Sequence, residues 1–189
     1  MSDEIRTIIR NILSDIRVEL SDEFDKNFER QGFFNESWQR RKSPTRSSGH
    51  ILVDTGRLRR SIQSRTTDDS ITFFSTEPYA AIHNEGGEIV VTPKMKKYFW
   101  HKYYDATGSF GRKKDGSLRQ DKRNARLSGE AEFWKMMALK KAGTKIKIPR
   151  RRFLGASPDV ERMVKEIVER NLEEYFNSKD FTGMHNTNT

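Results

Sequence analysis

The sequence predicts an α+β fold: a small, mostly antiparallel sheet of about four strands, packed against long N- and C-terminal helices and carrying a basic insertion at 94–143. Three observations predict it. Both ends of the chain space apolar residues three and four apart over several turns. Short runs rich in Val, Ile, Phe and Thr lie between them, bounded by Gly, Pro and Asp-Asp-Ser. One stretch between two such runs is poor in apolar residues and dense in Lys and Arg.

Residues 3–30 form the first stripe: Ile5, Ile8, Ile9, Ile12, Leu13, Ile16, Leu20, Phe24 and Phe28. Ser2 or Asp3 can cap it, and Gly32 ends it. At 1.5 Å per residue the helix is about 40 Å long, so it must lie on a sheet or on another subunit. Phe33-Phe34-Asn35-Glu36-Ser37-Trp38 is an aromatic patch, and residues 39–50 are a basic loop punctuated by Pro, Ser and Gly. Ile51-Leu52-Val53 is an apolar run. Asp54 or Thr55 can then cap a helical turn, with Leu58 and Ile62 on one face and Arg57, Arg59 and Arg60 on the others.

Residues 61–76 read as a hairpin that turns at Asp68-Asp69-Ser70. Pro78 suits the first turn of a short helix over 79–85, stopped by Gly86-Gly87. Residues 88–92 form a strand that Pro93 stops. Within the insertion, Tyr98, Phe99, Trp100, Tyr103 and Tyr104 cluster, 108–128 reads as mobile, and 130–141 can form a helix. Residues 144–148 alternate like a strand with one face buried, and 149–155 form a basic loop that ends apolar. The last helix carries Val160, Met163, Val164, Ile167, Val168, Leu172 and Phe176 on one stripe. Residues 1–177 read as one domain and 178–189 as a flexible polar tail. Leu52, Leu58, Ile62, Phe73, Tyr79, Ile82, Val90, Phe153 and Leu154 are the expected buried set between the helices.

The composition narrows the functional classes. Hydrophobic residues make up only 33% of the 189, which allows one modest core. The absence of cysteine excludes disulfides and thiolate metal sites. No apolar run approaches the roughly 18 to 20 residues of a membrane span. The start, Met1-Ser2-Asp3-Glu4, is acidic and unlike a signal peptide, so the expectation is a soluble protein that is intracellular when made. The net charge of +9 is segregated, with −4 over 1–38, +7 over 39–65, −5 over 66–93, +14 over 94–152 and −3 over 153–189. Such fields attract a polyanion or the acidic surface of a neighbouring copy.

Asp54-Thr55-Gly56 after an apolar run has the wording of an aspartic protease, whose carboxylate dyad shares one proton. Arg57, Arg59 and Arg60 argue against that chemistry, because they would hold the carboxylate ionised. A cap and turn is the better reading. The four histidines, His50, His83, His101 and His185, share no metal-ligand spacing, so no metal or cofactor is expected. His83 and Glu85 read as the end of a helix packed near Tyr79.

Arg150, Arg151 and Arg152 are either a solvated loop or a contact with phosphate or another subunit. The insertion's Lys94, Lys96, Lys97, Arg112, Lys113, Lys114, Lys122, Arg123 and Arg126 could line a lumen that passes DNA, with sequence-independent, salt-sensitive contact, or dock on an acidic neighbour. The aromatics at 98–104 could stack on single-stranded bases, but packing is preferred for them.

Four segments taken in order resemble the phage virion morphogenesis and tail completion proteins of tailed phages, including Mu-like prophages. They are Leu52-Val53-Asp54-Thr55-Gly56-Arg57-Leu58-Arg59-Arg60-Ser61-Ile62, Pro78-Tyr79-Ala80-Ala81-Ile82-His83-Asn84-Glu85-Gly86-Gly87, Ile148-Pro149-Arg150-Arg151-Arg152-Phe153-Leu154-Gly155, and the closing amphipathic helix. The resemblance spans residues 50 to 176, with 94–143 outside the common pattern.

It implies a non-enzymatic neck or tail-completion component of the virion, made in the bacterial host cytoplasm. It also implies a homo-oligomeric ring of about six copies with closed cyclic symmetry. Head-connector or head-closure proteins and tail-tube or tail-terminator proteins would be its neighbours. Arg57, Arg59, Arg60, Tyr79, His83, Glu85, Arg150, Arg151 and Arg152 would be candidate contacts with subunits or partners. Outside the resemblance, the basic insertion could contact passing double-stranded DNA non-specifically or dock on an acidic neighbour, and no membrane is expected. The alternative is a basic nucleic-acid-binding module, favoured if the isolated monomer binds DNA in a salt-dependent way.

Overall fold

The structure, a computed structural model, describes residues 3–41 and 49–185. Most of the expected basic loop at 39–50, and the last four residues of the expected tail, therefore lie outside the described residues. The element order is α1 (Asp3–Arg30), β1 (Gly32–Phe33), β2 (Glu36–Ser37), α2 (Arg57–Arg60), β3 (Ile62–Thr66), β4 (Ile71–Ser75), α3 (Ala80–Glu85), β5 (Gly87–Val90), α4 (Pro93–Gly108), α5 (Lys122–Leu139), β6 (Lys145–Ile148) and α6 (Pro158–His185).

The class is α+β, as the sequence predicts. The strands, however, form three separate two-stranded antiparallel ladders, β1–β2, β3–β4 and β5–β6, where one sheet of about four strands was expected. The physical reason is local. β1 and β2 are two residues long, and β3–β4 and β5–β6 belong to different packing units. Chain packing groups Met1–Trp38, Leu52–Ala80 and Arg151–Thr189 into one unit, and Gln39–Ile51 with Ala81–Arg150 into a second. By sequence the first unit carries 15 basic and 20 acidic residues, and the second 21 and 7.

In the first unit α1 buries Leu13, Ile16, Leu20, Phe24 and Phe28, the expected stripe from Leu13 onward, together with Asn27. Ile5 stays 48% exposed. The helix stops because Gln31 turns to φ 58, and Phe34, at φ 51, makes the tight turn between β1 and β2. Ile16, Leu20, Phe24, Phe33, Val160 and Ile167 form the core, with Ile62, Phe73 and Leu154 packed against it. Phe24 meets Phe73 edge-on at 5.2 Å, and Phe28 lies 5.6 Å from Trp38 and 5.3 Å from Phe153. Each fully buried large apolar side chain contributes about 1.5–3 kcal/mol.

Buried Asn27 ties three segments together. Its Nδ2 donates to the Phe153 carbonyl (3.2 Å), and its Oδ1 accepts from the Phe34 amide (3.1 Å). Trp38 Nε1 donates to the Arg152 carbonyl (2.6 Å). Along the seam of α1 and α6, Asn171 donates to Asp15 (2.9 Å), Lys179 pairs with Glu4 (2.8 Å), and Arg170 pairs with Glu19. The last helix runs to His185, where the sequence placed the start of a flexible tail at 178. Tyr175 and Lys179, within it, both contact Glu4 on α1.

The expected cap of the short helix α2 differs in detail. Gly56, at φ 74, takes the N-cap position without a side-chain cap, and Thr55 Oγ1 reaches the Arg57 amide only at 3.4 Å. The preceding Ile51-Leu52-Val53 run is a half-buried turn with Leu52 at φ 61. The β3–β4 hairpin forms as expected, with Ile62 opposite Ser75 and Thr66 opposite Ile71.

In the second unit β5 and β6 pair from Gly87–Ile148 to Val90–Lys145, and Lys145 pairs with Glu88 across them (2.8 Å). Two members of the expected buried set are exposed, Tyr79 of the first unit at 38% and Val90 of the second at 50%. Their immediate neighbours Ala80 and Val91 take the inward positions, at 7% and 1%. At Val90, the end of a strand, a one-residue offset reverses which side chain faces the core.

Candidate functional site

The chain leaves β5 into α4 and returns from α5 into β6, so the 94–143 insertion is rooted on an antiparallel ladder. The root is closed by Val91, whose amide donates to the Thr144 carbonyl (2.8 Å) and whose carbonyl accepts from Gly143 (2.9 Å). Two ends held side by side favour a helical hairpin. α4 starts cleanly: Thr92 Oγ1 accepts from the Met95 amide (3.2 Å), and Pro93 occupies a first-turn position. α5 starts eight residues before the expected Glu130, because Asp121 Oδ1 accepts from the Asn124 amide (2.8 Å) and caps it at Lys122.

The segment expected to be mobile, 108–128, is tied down. Buried Asn124 accepts from the Gly111 amide and donates to the carbonyls of Gly111 (2.8 Å) and Arg119 (2.7 Å). Arg112 bridges Leu118, and the Lys113 amide donates to Ser117 (2.8 Å). At the tip, the Asp115 carboxylate accepts from the hydroxyl and amide of Ser117, which hold it below the usual carboxylate range. The composition resembled that of a disordered linker. Its polar residues are spent on turn and cap hydrogen bonds, the one signal that could have revealed the order.

The aromatics divide into two groups. Phe99 stacks on Trp134 at 5.9 Å and 25°, and Tyr98 meets the same ring edge-on at 6.0 Å, which joins α4 to α5. Packing is thus the structural role of Tyr98 and Phe99, as preferred from the sequence. Trp100, Tyr103 and Tyr104 form a second cluster, with Trp100 and Tyr104 stacked at 6.0 Å and 26°. Tyr104 is 63% exposed.

The insertion's acidic residues leave most of its cations uncompensated. Asp115 and Asp121 serve the tip and the cap. Asp105 lies near His101 (3.5 Å) and Lys102 (3.8 Å), and Glu130 lies near Arg126 (3.8 Å). Among the described residues, Lys94, Lys96, Lys97, Lys113, Lys114, Lys122 and Arg123 form no ion pair, and all but Lys96 are exposed. Arg112 donates to the Gly116 carbonyl (2.9 Å). Of the basic residues expected to face DNA, Arg112, Lys113, Lys114, Lys122, Arg123 and Arg126 gather around the tip and the start of α5, and Lys94, Lys96 and Lys97 lie on the first turns of α4.

The other expected contact residues are dispersed. Arg57 is largely exposed and pairs with Glu77 (2.9 Å). Arg59 is a staple to α1, paired with both Asp25 and Glu29, which raise its already high pKa. Arg60 donates to the Thr55 carbonyl (2.8 Å). Partial burial, and next the Glu77 carboxylate, push the Tyr79 hydroxyl up.

His83 is half-buried near the end of α3, and Glu85 is exposed. Gly86 then turns the chain at φ 73, where a Cβ would lie 2.8 Å from the Arg150 amide nitrogen, so glycine is required there. Arg150 is exposed and Arg151 is 8% exposed. Arg152 lies 4.6 Å over the Phe33 ring and donates to the Ala156 carbonyl. Asn27 and Asn124, which organise the two units, carried no functional signal in the sequence.

Among the described residues, no group of three or more His, Asp or Glu side chains could hold a metal ion, and no helix is long and apolar enough to cross a membrane. No curated protein and no solved structure matches the chain. A sequence model of the phage virion morphogenesis family matches residues 3–173 of the 189. The chain therefore belongs to that family, whose role is the assembly of the phage virion.

Proposed function

We propose that this member of the phage virion morphogenesis family is a structural subunit of the neck or tail end of the virion. Its copies assemble head to tail into a closed ring of about six at the junction of head and tail. The work of the protein is assembly, not catalysis. The observation that carries this reading is the opposite charge of the two packing units, net −5 and net +14, in one chain. Every copy then offers both an acidic and a basic surface, which favours unlike surfaces meeting between copies. Head-connector or head-closure proteins on one side, and tail-tube or tail-terminator proteins on the other, are the neighbours this position implies. The ordered basic tip, Arg112 to Arg126, supports a sequence-independent contact with the duplex that passes through.

The test is genetic and structural. A phage with a nonsense codon in this gene is expected to yield particles with heads and tails that fail to join or stay joined, and a supplied copy is expected to restore infectivity. Purified wild-type virions should contain the protein in a fixed ratio to the head-connector protein. Complete, infectious particles without the protein would overturn the reading.

A further inference from the structure

Two helix faces, one in each packing unit, carry the same spacing of complementary chemistry. On α6 the face opposite buried Val160 and Ile167 holds Glu169, Leu172, Glu173 and Phe176. Their spacing is i, i+3, i+4 and i+7, which stacks them along one side of a helix. Leu172 is 36% and Phe176 59% exposed, so this apolar pair is uncovered in the single chain. On α4 the face opposite buried Phe99 and Ala106 holds Lys97, Trp100, His101 and Tyr104, with the same spacing. Tyr104 is 63% exposed, and Lys97 has no ion-pair partner among the described residues.

We propose that the α6 face of one copy docks on the α4 face of the next. Laid side by side in the same direction, the two stripes match position by position: Glu169 with Lys97, Leu172 with Trp100, Glu173 with His101, and Phe176 with Tyr104. The charges alternate with the apolar groups, so each pairing puts acid on base or carbon on carbon. Lys94, one turn before Lys97, extends the basic end. Glu169 also lies 3.7 Å from Lys165 on its own helix, an exposed pair that a second cation can join or replace.

Because one chain carries both faces, the contact is heterologous, and it propagates from copy to copy until the rotation closes. The partner is a second copy because the acidic unit of this same chain supplies the opposite charge in the matching register. Duplex DNA would satisfy the lysines but not exposed Tyr104 and the half-buried Trp100 stacked on it. This inference rests on the self-assembly reading above and adds the surface through which it occurs.

The chain has no cysteine, so engineered thiols report the contact cleanly. Full-length Tyr104→Cys and Phe176→Cys chains are mixed and oxidised, with each variant alone as the control and circular dichroism confirming the fold. The mixture is expected to form a disulfide dimer about tenfold or more faster than either variant alone, because docking raises the effective thiol concentration. Adding Glu169→Lys and Glu173→Lys to the Phe176→Cys chain should cut that rate about tenfold, since a lysine at 169 would face Lys97 and a lysine at 173 would remove the acceptor offered to His101. Adding Lys97→Glu to the Tyr104→Cys partner should restore part of it.

A mixture that cross-links no faster than the single variants overturns the proposal. So does a rate indifferent to the charge reversals, and so does duplex DNA that blocks Tyr104→Cys labelling while the mixed pair stays uncross-linked. If the cross-link fails but the protein is still found in virions, only this contact is wrong. If the protein is absent from infectious virions, the assembly reading itself fails.

Discussion

The two packing units solve the problem of a low apolar content in different ways. The first buries large side chains from distant parts of the sequence. Phe24, Phe28, Phe33, Trp38, Phe153 and Ile167 come from its two ends and are held by Asn27 and by the α1–α6 seam. The second buries Val91, Phe99 and Leu127 together with three alanines, and its order depends on caps, a ladder and one asparagine. The first is an acidic scaffold whose charges are largely paired along α1 and α6. The second is a basic surface on which, among the described residues, most lysines form no ion pair. The contrast separates a unit that holds the fold through long-range packing from one held by local caps and turns.

The largest effect should come from the core of the first unit. Phe28→Ala is expected to destabilise the protein by about 3–5 kcal/mol, read by calorimetry or denaturant unfolding. A loss below about 1 kcal/mol would mean that the aromatic cluster is not the scaffold. Asn27→Ala comes next, at about 2–3 kcal/mol, because it strands a buried carbonyl at Phe153 and a partly buried amide at Phe34. A neutral result would remove the polar tie from the account.

In the second unit the effect should be local. Asn124→Ala is expected to cost about 1–3 kcal/mol, confined to 109–121, where amide hydrogen exchange should accelerate while α1 and α6 stay protected. Faster exchange throughout α1 would contradict the separation of the two units.

Acid should produce the smallest change, in the same direction in both units. Hydrogen bonds from Lys179 and then Tyr175 hold the Glu4 carboxyl below its usual 4.5, and those from Ser117 hold Asp115 below its usual 3.8. A depressed carboxyl stabilises the folded state above its unfolded pKa, and that contribution is lost as pH falls through the lowered value. Exchange at the end of α6 and at the Asp115 turn should therefore rise only below those usual values. A rise near neutrality would point to other groups.

Most of the fold was legible because it is written in periodicity. The α1 and α6 stripes, the β3–β4 hairpin and the short strands at 87–90 and 145–148 all follow from spacing and turn residues. Pairing was not legible, since ladder partners depend on packing that sequence spacing does not encode. A low-apolar basic segment also looks the same whether solvated or ordered, until Asn124 and Asp121 are seen to spend their side chains on the backbone. The candidate contacts were legible as charge but not as geometry. Arg59 proved to be an internal staple, and the Glu169–Phe176 face on α6 drew no attention as a surface because Leu172 and Phe176 read as core.

The most direct test of the central claim, a self-assembling structural subunit, is the absolute mass of the purified protein by light scattering at low and moderate salt. A discrete multiple of the 22.2 kDa chain that persists in moderate salt is predicted, because apolar groups share the contact with the charges. A 22.2 kDa monomer in both conditions, at every concentration reached, would contradict it.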